Sequence, residues 1–319
     1  MRRELEFFVP AADEVARLQR VATPEAEWFR EVAEEGHNGG RGPGVTRQGI
    51  YAATAGGRFL ASINTRSPER MVAMLREARQ RWDELSEEER AATRDAGGAR
   101  PEDRYPDGGL ALLVHLRDLP REDLPDDWRA DARNLDRAWF QREELAGLLP
   151  PEPGRRRSEG PVEAGLAQRL ARLHLVDNVR GQAPLFRPEC VVEAELSVRV
   201  VGVKRGRAEL EYVGRARLEE RGRWAVEHPG RRKVEADRQR GYAAALRGEA
   251  VWNLEEQRFE RFDLVAAGPR WGATQFNGRY DDEGPAGMGV LFTLAPAEDR
   301  VAPAYHWAYP APKQGPEGR

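Results

Sequence analysis

Apolar and polar positions recur with two different periods along this chain, and the period changes near residue 188. Before that point, apolar residues recur every three or four positions, which predicts amphipathic helices between short strands. After it, apolar and polar residues alternate one by one, which predicts half-buried strands. The sequence therefore predicts an α+β protein with a helix-containing first part and an antiparallel β-sheet in its last part.

Residues 1–105 read as a small α/β unit. The apolar run 5–9 predicts a strand, and runs 49–54 and 58–63 on either side of Ala55-Gly56-Gly57 predict a β-hairpin. Helix starts are marked by Thr23-Pro24 and Ser67-Pro68, because a hydroxyl can cap exposed amides and proline already has the helical φ. Ser86 and Glu89 have the spacing of a capping box.

A hairpin followed directly by an amphipathic helix, over residues 49–85, resembles the closing ββα of the thioredoxin-like fold, and residues 5–9 would supply an earlier strand. The cysteine pair of that family is missing, and Val45-Thr46-Arg47 stands where the family usually places a cis-proline. The resemblance therefore implies a scaffold without redox chemistry.

Residues 106–187 read as a connecting segment of one strand and several helices. Residues 110–116 form an apolar run typical of a buried strand. From Asp126 onward, Trp128, Ala132, Leu135, Trp139 and Phe140 have helical spacing. The Pro-rich residues 149–157 resemble a linker, and a further helix is expected over residues 162–173.

Residues 188–319 alternate in at least six short runs and predict an antiparallel β domain, either a sandwich or a partial barrel. The clearest hairpin joins residues 196–200 to 208–212 through Lys204-Arg205-Gly206-Arg207. Residues 222–240 are polar and are expected to be mobile. Strands are also expected at 242–252, 258–267, 288–294 and 301–309.

Composition excludes several classes of function. Charged residues balance to a net charge of −3, so no excess positive field favours nucleic acid, and the basic runs 155–157 and 231–233 read as solvated loops. No apolar run approaches the roughly 18 residues that cross a bilayer, and the start lacks a signal-peptide pattern, which predicts a cytoplasmic protein, or an exported one if a signal peptide has been removed. Cys190 is the single cysteine, so no intramolecular disulfide can form.

Arginine dominates the basic residues, since Lys204, Lys233 and Lys313 are the only lysines among 51 Lys and Arg. GC-rich coding and a warm-living source both fit this bias. Most arginines have glutamate neighbours in the sequence, which predicts solvent-exposed networks of arginine and glutamate side chains. Arg180, Arg270 and Arg279 instead lie among apolar and aromatic residues and are the first that we would substitute.

Two stretches combine polar and apolar residues in a way that suits a site. The first follows the helix 162–173 and contains His174, Asp177, Asn178 and Arg180 among apolar residues. Burying such side chains costs free energy unless they are paired with other polar groups or have a functional role. They either brace the junction between the two units or form one wall of a ligand cleft.

The second stretch, residues 268–282, has the densest mixture of aromatic and planar polar groups: Trp271, Gln275, Asn277, Arg279 and Asp281. Aromatic rings stack on flat ligands and amides recognise hydroxyls. The alternative is an ordinary long loop, in which aromatic side chains plug the end of the sheet, and the two interpretations are not exclusive.

Two hypotheses follow. The first is a binding protein, without catalysis, for a small molecule or a protein partner, with the ligand site near Asn178, Arg180, Trp271, Gln275, Asn277, Arg279 and Asp281. The second is an enzyme at the interface of the α/β and β units, with His174 or His306 as base or metal ligand and Asp177 or Asp281 as its partner. The five histidines lack metal-ligand spacings, so no metal is assigned and any cofactor is unknown. Association through an exposed sheet edge would give a homodimer.

Overall fold

A computed structural model describes residues 2–11, 15–40, 45–65, 67–94, 101–122, 124, 127–226 and 234–310. Its contacts divide the chain into two compact units, unit 1 from Met1–Arg100 and unit 2 from Pro101–Arg319. Residues 106–187, expected to be a connecting segment, contribute strands and a helix to unit 2.

Unit 1 packs helices against a two-stranded antiparallel sheet. Its elements are α1 (Arg2–Leu5), α2 (Val15–Arg20), α3 (Pro24–Glu35), β1 (Ile50–Ala53), β2 (Phe59–Ile63), α4 (Pro68–Asp83) and α5 (Glu87–Ala91). The predicted caps are confirmed, since Thr23 and Ser67 each accept a hydrogen bond from a first-turn amide and Ser86 forms its capping box with Glu89. A small core forms where α4 places Met74, Leu75 and Ala78 against β1 and β2.

The strand predicted at residues 5–9 is wrong. Residues Arg2–Leu5 are helical and a turn follows. Leu5 and Phe8 pack against the unit 1 core, whereas Phe7 and Val9 are exposed. A separation of three residues places two side chains on one face of a helical turn, whereas a strand would need an even separation. An apolar run of this length cannot distinguish the two.

Unit 2 is built on one eight-stranded antiparallel sheet. Its strands are β3 (Leu110–Asp118), β4 (Arg133–Phe140), β5 (Glu159–Pro161), β6 (Val191–Lys204), β7 (Arg207–Val226), β8 (Val234–Asn253), β9 (Arg258–Trp271) and β10 (Ala286–Leu294). Their order is β4-β3-β10-β9-β8-β7-β6-β5. The α+β class and the antiparallel C-terminal sheet are thus confirmed, and the eight strands that the structure describes in unit 2 form one sheet rather than the two layers of a sandwich.

One face of this sheet is covered by helix α6 (Ala164–His174). Leu166, Leu170 and Leu173 recur at helical spacing and are buried in the same core as Leu196 and Leu210 of the sheet. Each fully buried leucine contributes roughly 1.5–3 kcal/mol of transfer free energy. The Pro-rich run 149–157, predicted as a linker, is a loop inside unit 2, where the Arg157 amide donates to the carbonyl of Val200.

The helix predicted from Asp126 is wrong. Residues 133–140 form the strand β4, which pairs with β3 from Arg133↔Arg117 to Phe140↔Leu110. Leu135 and Trp139 are four residues apart, and a separation of four places two residues on the same side of both a helix and a strand. Trp128 lies before the strand and is largely exposed.

Two other expectations for unit 2 also fail. Residues 222–226 and 234–240, expected to be mobile, extend β7 and β8 into a long hairpin whose last described pair is Val226↔Val234. The backbones of β7 and β8 remain paired in a region where apolar and polar side chains no longer alternate. Residues 301–309, expected to be a strand, contain Pro303 and end in a 3₁₀ turn, His306–Ala308.

Some sequence features fall outside the described residues. They are the basic run 231–233, His228, the glycine-rich residues 41–44, residues 95–100 of the connector, Asp126 and the C-terminal residues 311–319.

Candidate functional site

The segment after α6 is drawn into the interior by its apolar residues. Leu173, Leu175 and Val176 are almost fully buried, and this anchors the chain on either side of His174. Asp177 and Arg180 therefore enter a region of low exposure, where charged groups are costly unless they are paired. The sequence predicted this segment at the junction between two units, but the segment and its partners all lie inside unit 2.

Arg180, Arg270 and Arg279 have fully buried side chains and meet three aspartates in what we call the Arg–Asp cluster: Asp118, Asp177, Asp282, Arg180, Arg270 and Arg279. Arg279 donates from Nη2 to Asp118 Oδ1 at 2.7 Å and from Nε to Asp177 Oδ2 at 2.8 Å. Arg180 donates from Nε to Asp118 Oδ2 at 2.8 Å. The planar guanidinium makes such divergent contacts possible, because its five N–H groups point in fixed directions.

Asp282 completes the cluster. Arg270 donates from Nη2 to Asp282 Oδ2 at 2.5 Å and from Nη1 to the Asp282 carbonyl oxygen at 2.5 Å. Arg180 Nη1 lies 2.9 Å from the same carboxylate, and the partly exposed Arg121 reaches it at 2.7 Å. Three buried cations thus face three carboxylates, so the cluster is neutral apart from Arg121 at its edge.

The pKa values in the cluster follow from burial and from these contacts. Burial alone would raise the pKa of Asp118, but hydrogen bonds and charge from Arg279 hold it below its ordinary value. Burial would likewise raise the pKa of Asp282, and Arg121 and Arg270 lower it. Burial lowers the pKa of Arg270, whereas Asp177 and Asp118 outweigh burial and raise that of Arg279. Both aspartates are therefore ionised at neutral pH.

The cluster joins three parts of unit 2: the end of β3, the segment after α6 and the loop after β9. Its charges are paired with one another, so the cluster holds these segments in one arrangement. Two of its buried donors, Arg180 Nη2 and Arg270 Nε, have no hydrogen-bond partner among the described residues. We interpret the cluster as a structural tie.

The two stretches that the sequence singled out do meet. Gln182 and Phe276 form an isolated antiparallel bridge. Asn178 donates to the Tyr305 hydroxyl at 2.9 Å and accepts from the Ala183 amide at 2.8 Å, so its amide is used inside the fold. Asn277 is also buried, and its Oδ1 accepts from the Thr274 amide at 3.0 Å.

The other predicted binding residues lie nearer the surface. Trp271 and Gln275 are half-buried, with the Trp271 ring packed over Gly241. Asp281 is exposed and pairs with Arg129 at 2.5 Å. The two predicted stretches therefore form a packed junction in which the arginines and asparagines have internal partners.

His174 is buried in a network of its own. Its Nδ1 lies 3.3 Å from Asp136 Oδ2, and its Nε2 lies 2.6 Å from the Tyr309 hydroxyl. A neutral imidazole with its proton on Nδ1 satisfies both contacts, because Nε2 then accepts from Tyr309. Burial raises the pKa of Tyr309, so this hydroxyl keeps its proton. Asp177, the predicted partner of a histidine, belongs to the Arg–Asp cluster instead.

His306 lines a cavity of about 270 Å³ that lies between the 3₁₀ helix Arg142–Leu148, the start of α6 and the chain around Tyr309. We call it the Trp139 cavity, because Trp139 is one of its lining residues. Arg169 crosses the wall with its guanidinium 5.1 Å from the Tyr309 ring and hydrogen bonds of 2.6 and 2.8 Å to Glu144. The size is near the lower end of ligand pockets, which begin at about 300 Å³.

The two arginines of the Trp139 cavity are engaged within the protein. Arg104 donates to the carbonyls of His306, Tyr309 and Pro310, and Arg169 donates to Glu144. The backbone of Trp139 is engaged as well, since its amide donates to the Tyr309 hydroxyl and its carbonyl accepts from Arg169. The Trp139 indole N–H is buried and has no hydrogen-bond partner among the residues that the structure describes.

Other kinds of site find no support in the described part of the chain. No group of three or more His, Cys, Asp or Glu side chains there is placed to hold a metal ion. Cys190 is a buried free thiol. No described helix has both the length and the apolar character that crossing a bilayer requires.

Sequence reasoning missed several residues that build these features. Asp118 closes an apolar strand and could have been flagged as a charge at the end of a buried run. Asp136 and Trp139 were hidden by the helical interpretation of β4, since only strand pairing places Trp139 opposite Ala111. Tyr309 carries no local signal, because its contacts with His174 and Trp139 join residues more than 130 positions apart.

Comparison with known proteins adds no relationship: no protein-family model, curated protein or solved structure matches this chain.

Proposed function

We propose that this chain is a small-molecule-binding protein whose ligand occupies the Trp139 cavity. The observation that carries the proposal is the cavity itself, which has a volume of about 270 Å³ and is lined by polar side chains such as Gln141 and Arg169 beside the apolar Leu166. Ligand pockets commonly combine apolar walls with a few polar groups in this way. At roughly 30 Å³ per water molecule, the volume corresponds to about nine waters and suits a small polar molecule.

We propose that unit 1 is a thioredoxin-like scaffold without redox activity. Support comes from its order of elements, a β1–β2 hairpin followed by α4, which packs on β2. Cys190 lies in unit 2, so the sequence of unit 1 contains no cysteine to carry thiol chemistry.

A catalytic function is the second candidate, favoured by one observation. Asp136, His174 and Tyr309 form a continuous chain of hydrogen-bonding groups, and the Tyr309 ring reaches the wall of the cavity. Such a chain can move a proton between a ligand and a buried carboxylate. Binding without turnover is the simpler function, because the Tyr309 hydroxyl already accepts from the Trp139 backbone amide at 3.2 Å as well as contacting His174.

The test observes the tryptophan side chains directly. The chain has eight tryptophans, so a ¹⁵N-labelled sample gives a small set of indole N–H signals, and Trp139→Phe identifies one of them. Trp224 is an internal reference, because its indole already donates to the Ala273 carbonyl at 2.6 Å.

A library of small polar molecules is then added to the full chain. We expect a binding compound to shift the Trp139 signal, because Trp139 lines the cavity, and to leave the Trp224 signal in place. If no compound moves the Trp139 signal, or if compounds move both signals equally, the cavity is not a ligand site. Chemical change of a bound compound, abolished by Tyr309→Phe, would favour the catalytic candidate.

A further inference from the structure

We infer that unit 1 carries a nucleophilic serine, Ser62, with His37 as its general base, and that this pair hydrolyses esters of small apolar acyl groups. The inference is independent of the Trp139 cavity, which lies in unit 2. It follows from the contacts between the two side chains, from the groups that orient the imidazole and from the space beside the serine oxygen.

Ser62 and His37 are joined by two hydrogen bonds. Ser62 Oγ lies 2.8 Å from His37 Nδ1, and it accepts from the His37 backbone amide at 2.9 Å. The direction of the first bond follows from the serine proton, because among the described residues Nδ1 is the only acceptor within hydrogen-bond distance of this hydroxyl. Ser62 therefore donates to Nδ1, which is the arrangement in which a base activates a nucleophile.

The far side of the imidazole is consistent with this tautomer. Nδ1 can accept only if the ring proton is on Nε2, and Nε2 lies 3.3 Å from the Gln48 carbonyl oxygen, which can accept it. Asn38 Nδ2 also lies 3.0 Å from Nε2, but its two protons are used by the Tyr51 hydroxyl at 2.6 Å and by the Gln48 carbonyl at 3.2 Å. A third group thus orients the base, as a paired nucleophile and base require.

Strand pairing and ring stacking fix the positions of both side chains. Ser62 lies on β2 directly opposite Tyr51 of β1. His37 follows the end of α3, and its ring stacks on the Tyr51 ring with centroids 5.1 Å apart and planes inclined by 23°. Phe29 of α3 contacts the same tyrosine ring edge-on at 5.7 Å. The imidazole is therefore held in one plane beside the serine.

Gly36 leaves space beside the serine oxygen. A Cβ on Gly36 would lie 2.6 Å from Ser62 Oγ, so any larger residue there would cover the nucleophile. The same point lies 3.1 Å from a ring carbon of Tyr51 and 3.3 Å from a ring carbon of Phe59. Ser62 and His37 are half-buried, so solvent reaches them in part. An acyl group beside Oγ would meet aromatic carbons at short range, which favours a small apolar group such as acetyl.

The reaction proceeds in two steps. Ser62 Oγ forms a bond to the carbonyl carbon of the ester while its proton passes to His37 Nδ1, and the alcohol leaves with that proton. Water then adds to the acyl carbon as its proton passes to Nδ1, the bond to Oγ breaks, Oγ regains the proton and the carboxylic acid leaves. One ester and one water molecule are consumed, and one alcohol and one acid are formed.

The test uses p-nitrophenyl acetate and the full chain at neutral pH. Release of p-nitrophenolate is followed by absorbance, and acetylated serines are identified by mass spectrometry of peptides. Ser197 is the internal control, because it is exposed and its hydroxyl donates to the Val213 carbonyl at 3.0 Å, which cannot take up the proton. General base catalysis contributes about 10²–10⁴-fold, so Ser62 should be acetylated at least about 100 times faster than Ser197.

Variants separate a chemical role from a structural one. His37→Gln keeps a side chain that can hydrogen-bond Ser62 but cannot take up its proton, so acetylation of Ser62 should fall about 100-fold. In Ser62→Cys, the new thiol should react with iodoacetamide faster than that of the matched variant Ser197→Cys, because a neighbouring imidazole favours the thiolate. The buried Cys190 is common to both variants and serves as the reference.

Urea unfolding checks that unit 1 is folded in each variant. If Ser62 of the unmodified chain is acetylated no faster than Ser197, or if a folded His37→Gln keeps the unmodified rate at Ser62, the inference is wrong and the pair only ties α3 to β2. If His37→Gln unfolds unit 1, the two comparisons with position 197 decide: the inference fails if either the serine or the thiol at position 62 reacts no faster than its counterpart.

Discussion

Replacing Asp118 by Asn tests whether the Arg–Asp cluster is held together by charge balance. Asp118 accepts three hydrogen bonds, one from Arg180 and two from Arg279, and its side chain is 4% exposed. Asparagine keeps the shape and one carbonyl acceptor but removes the charge. Three buried guanidinium groups would then face two carboxylates.

The expected cost follows from that imbalance. Breaking a buried ion pair by removing one partner costs about 3–5 kcal/mol, because an uncompensated charge is left in the interior. Solvent screening reduces this little at a side chain so deeply buried. For a unit of this size each kcal/mol lowers the Tm by about 2–4 °C, so Asp118→Asn should lower the Tm of unit 2 by about 6–20 °C.

Calorimetry on the full chain measures this, with unit 1 as an internal reference because its transition should stay in place. Asp281→Asn is the matched control: Asp281 pairs with Arg129 near the surface and is 40% exposed. Such a pair contributes at most about 1 kcal/mol. If Asp118→Asn lowers the Tm no more than Asp281→Asn does, charge balance does not hold the cluster together.

Three further predictions concern the fold. Ser67→Ala should destabilise unit 1 by about 1 kcal/mol in urea unfolding, because it removes the cap of α4; an unchanged midpoint would contradict the capping role. Gly272 has φ +85°, and a Cβ there would lie 2.2 Å from the Gln239 carbonyl oxygen. Gly272→Ala should therefore lower the free energy of unfolding by at least roughly 1–3 kcal/mol, the strain of a non-glycine residue in the left-handed region. An unaltered Tm would refute this. The pKa values of Asp118 and Asp282 are lowered in the folded state, so their stabilisation is complete above the ordinary aspartate pKa of about 4 and is lost as the pH falls through the lowered values. Urea unfolding of the unmodified chain should therefore show unit 2 losing stability below about pH 4, and this loss should be smaller in Asp118→Asn.

The sequence predicted the elements that local patterns determine. The caps at Thr23 and Ser67 and the hairpin across Lys204–Arg207 depend on residues within a few positions of one another, and all are confirmed. The failures occur where an apolar run fits two periods, as at residues 5–9 and in β4, or where strand pairing extends beyond the alternating pattern, as in β7.

The candidate site was predictable only in part. Arg180, Arg270 and Arg279 stood out because charges among apolar residues need partners, and the structure supplies those partners within unit 2. The sequence did not identify the partners, since Asp118 lies more than 60 positions from Arg180 and about 160 from Arg279. The Trp139 cavity was missed because it depends on the position of β4 at the edge of the sheet.

The Arg–Asp cluster and the Trp139 cavity lie toward opposite ends of strand β3. Asp118 ends that strand, whereas Trp139 is paired with Ala111 near its start, a separation of about 23 Å at 3.3 Å per residue. The segment from His174 to Ala183 connects the two. Its Arg180 is fixed in the cluster, and its His174 holds the hydroxyl of Tyr309 at the cavity.

This connection gives the buried arginines a role that surface arginines cannot have. In the same segment, Asn178 and the carbonyl of Ala183 both bind the hydroxyl of Tyr305, four residues before Tyr309. A segment tied at one end by the Arg–Asp cluster can therefore hold the chain around Tyr305 and Tyr309 in place as a wall of the cavity. A preformed wall reduces the ordering entropy that a ligand must overcome on binding. The cluster would thus act on the proposed ligand site only indirectly, by holding this wall of the cavity in place.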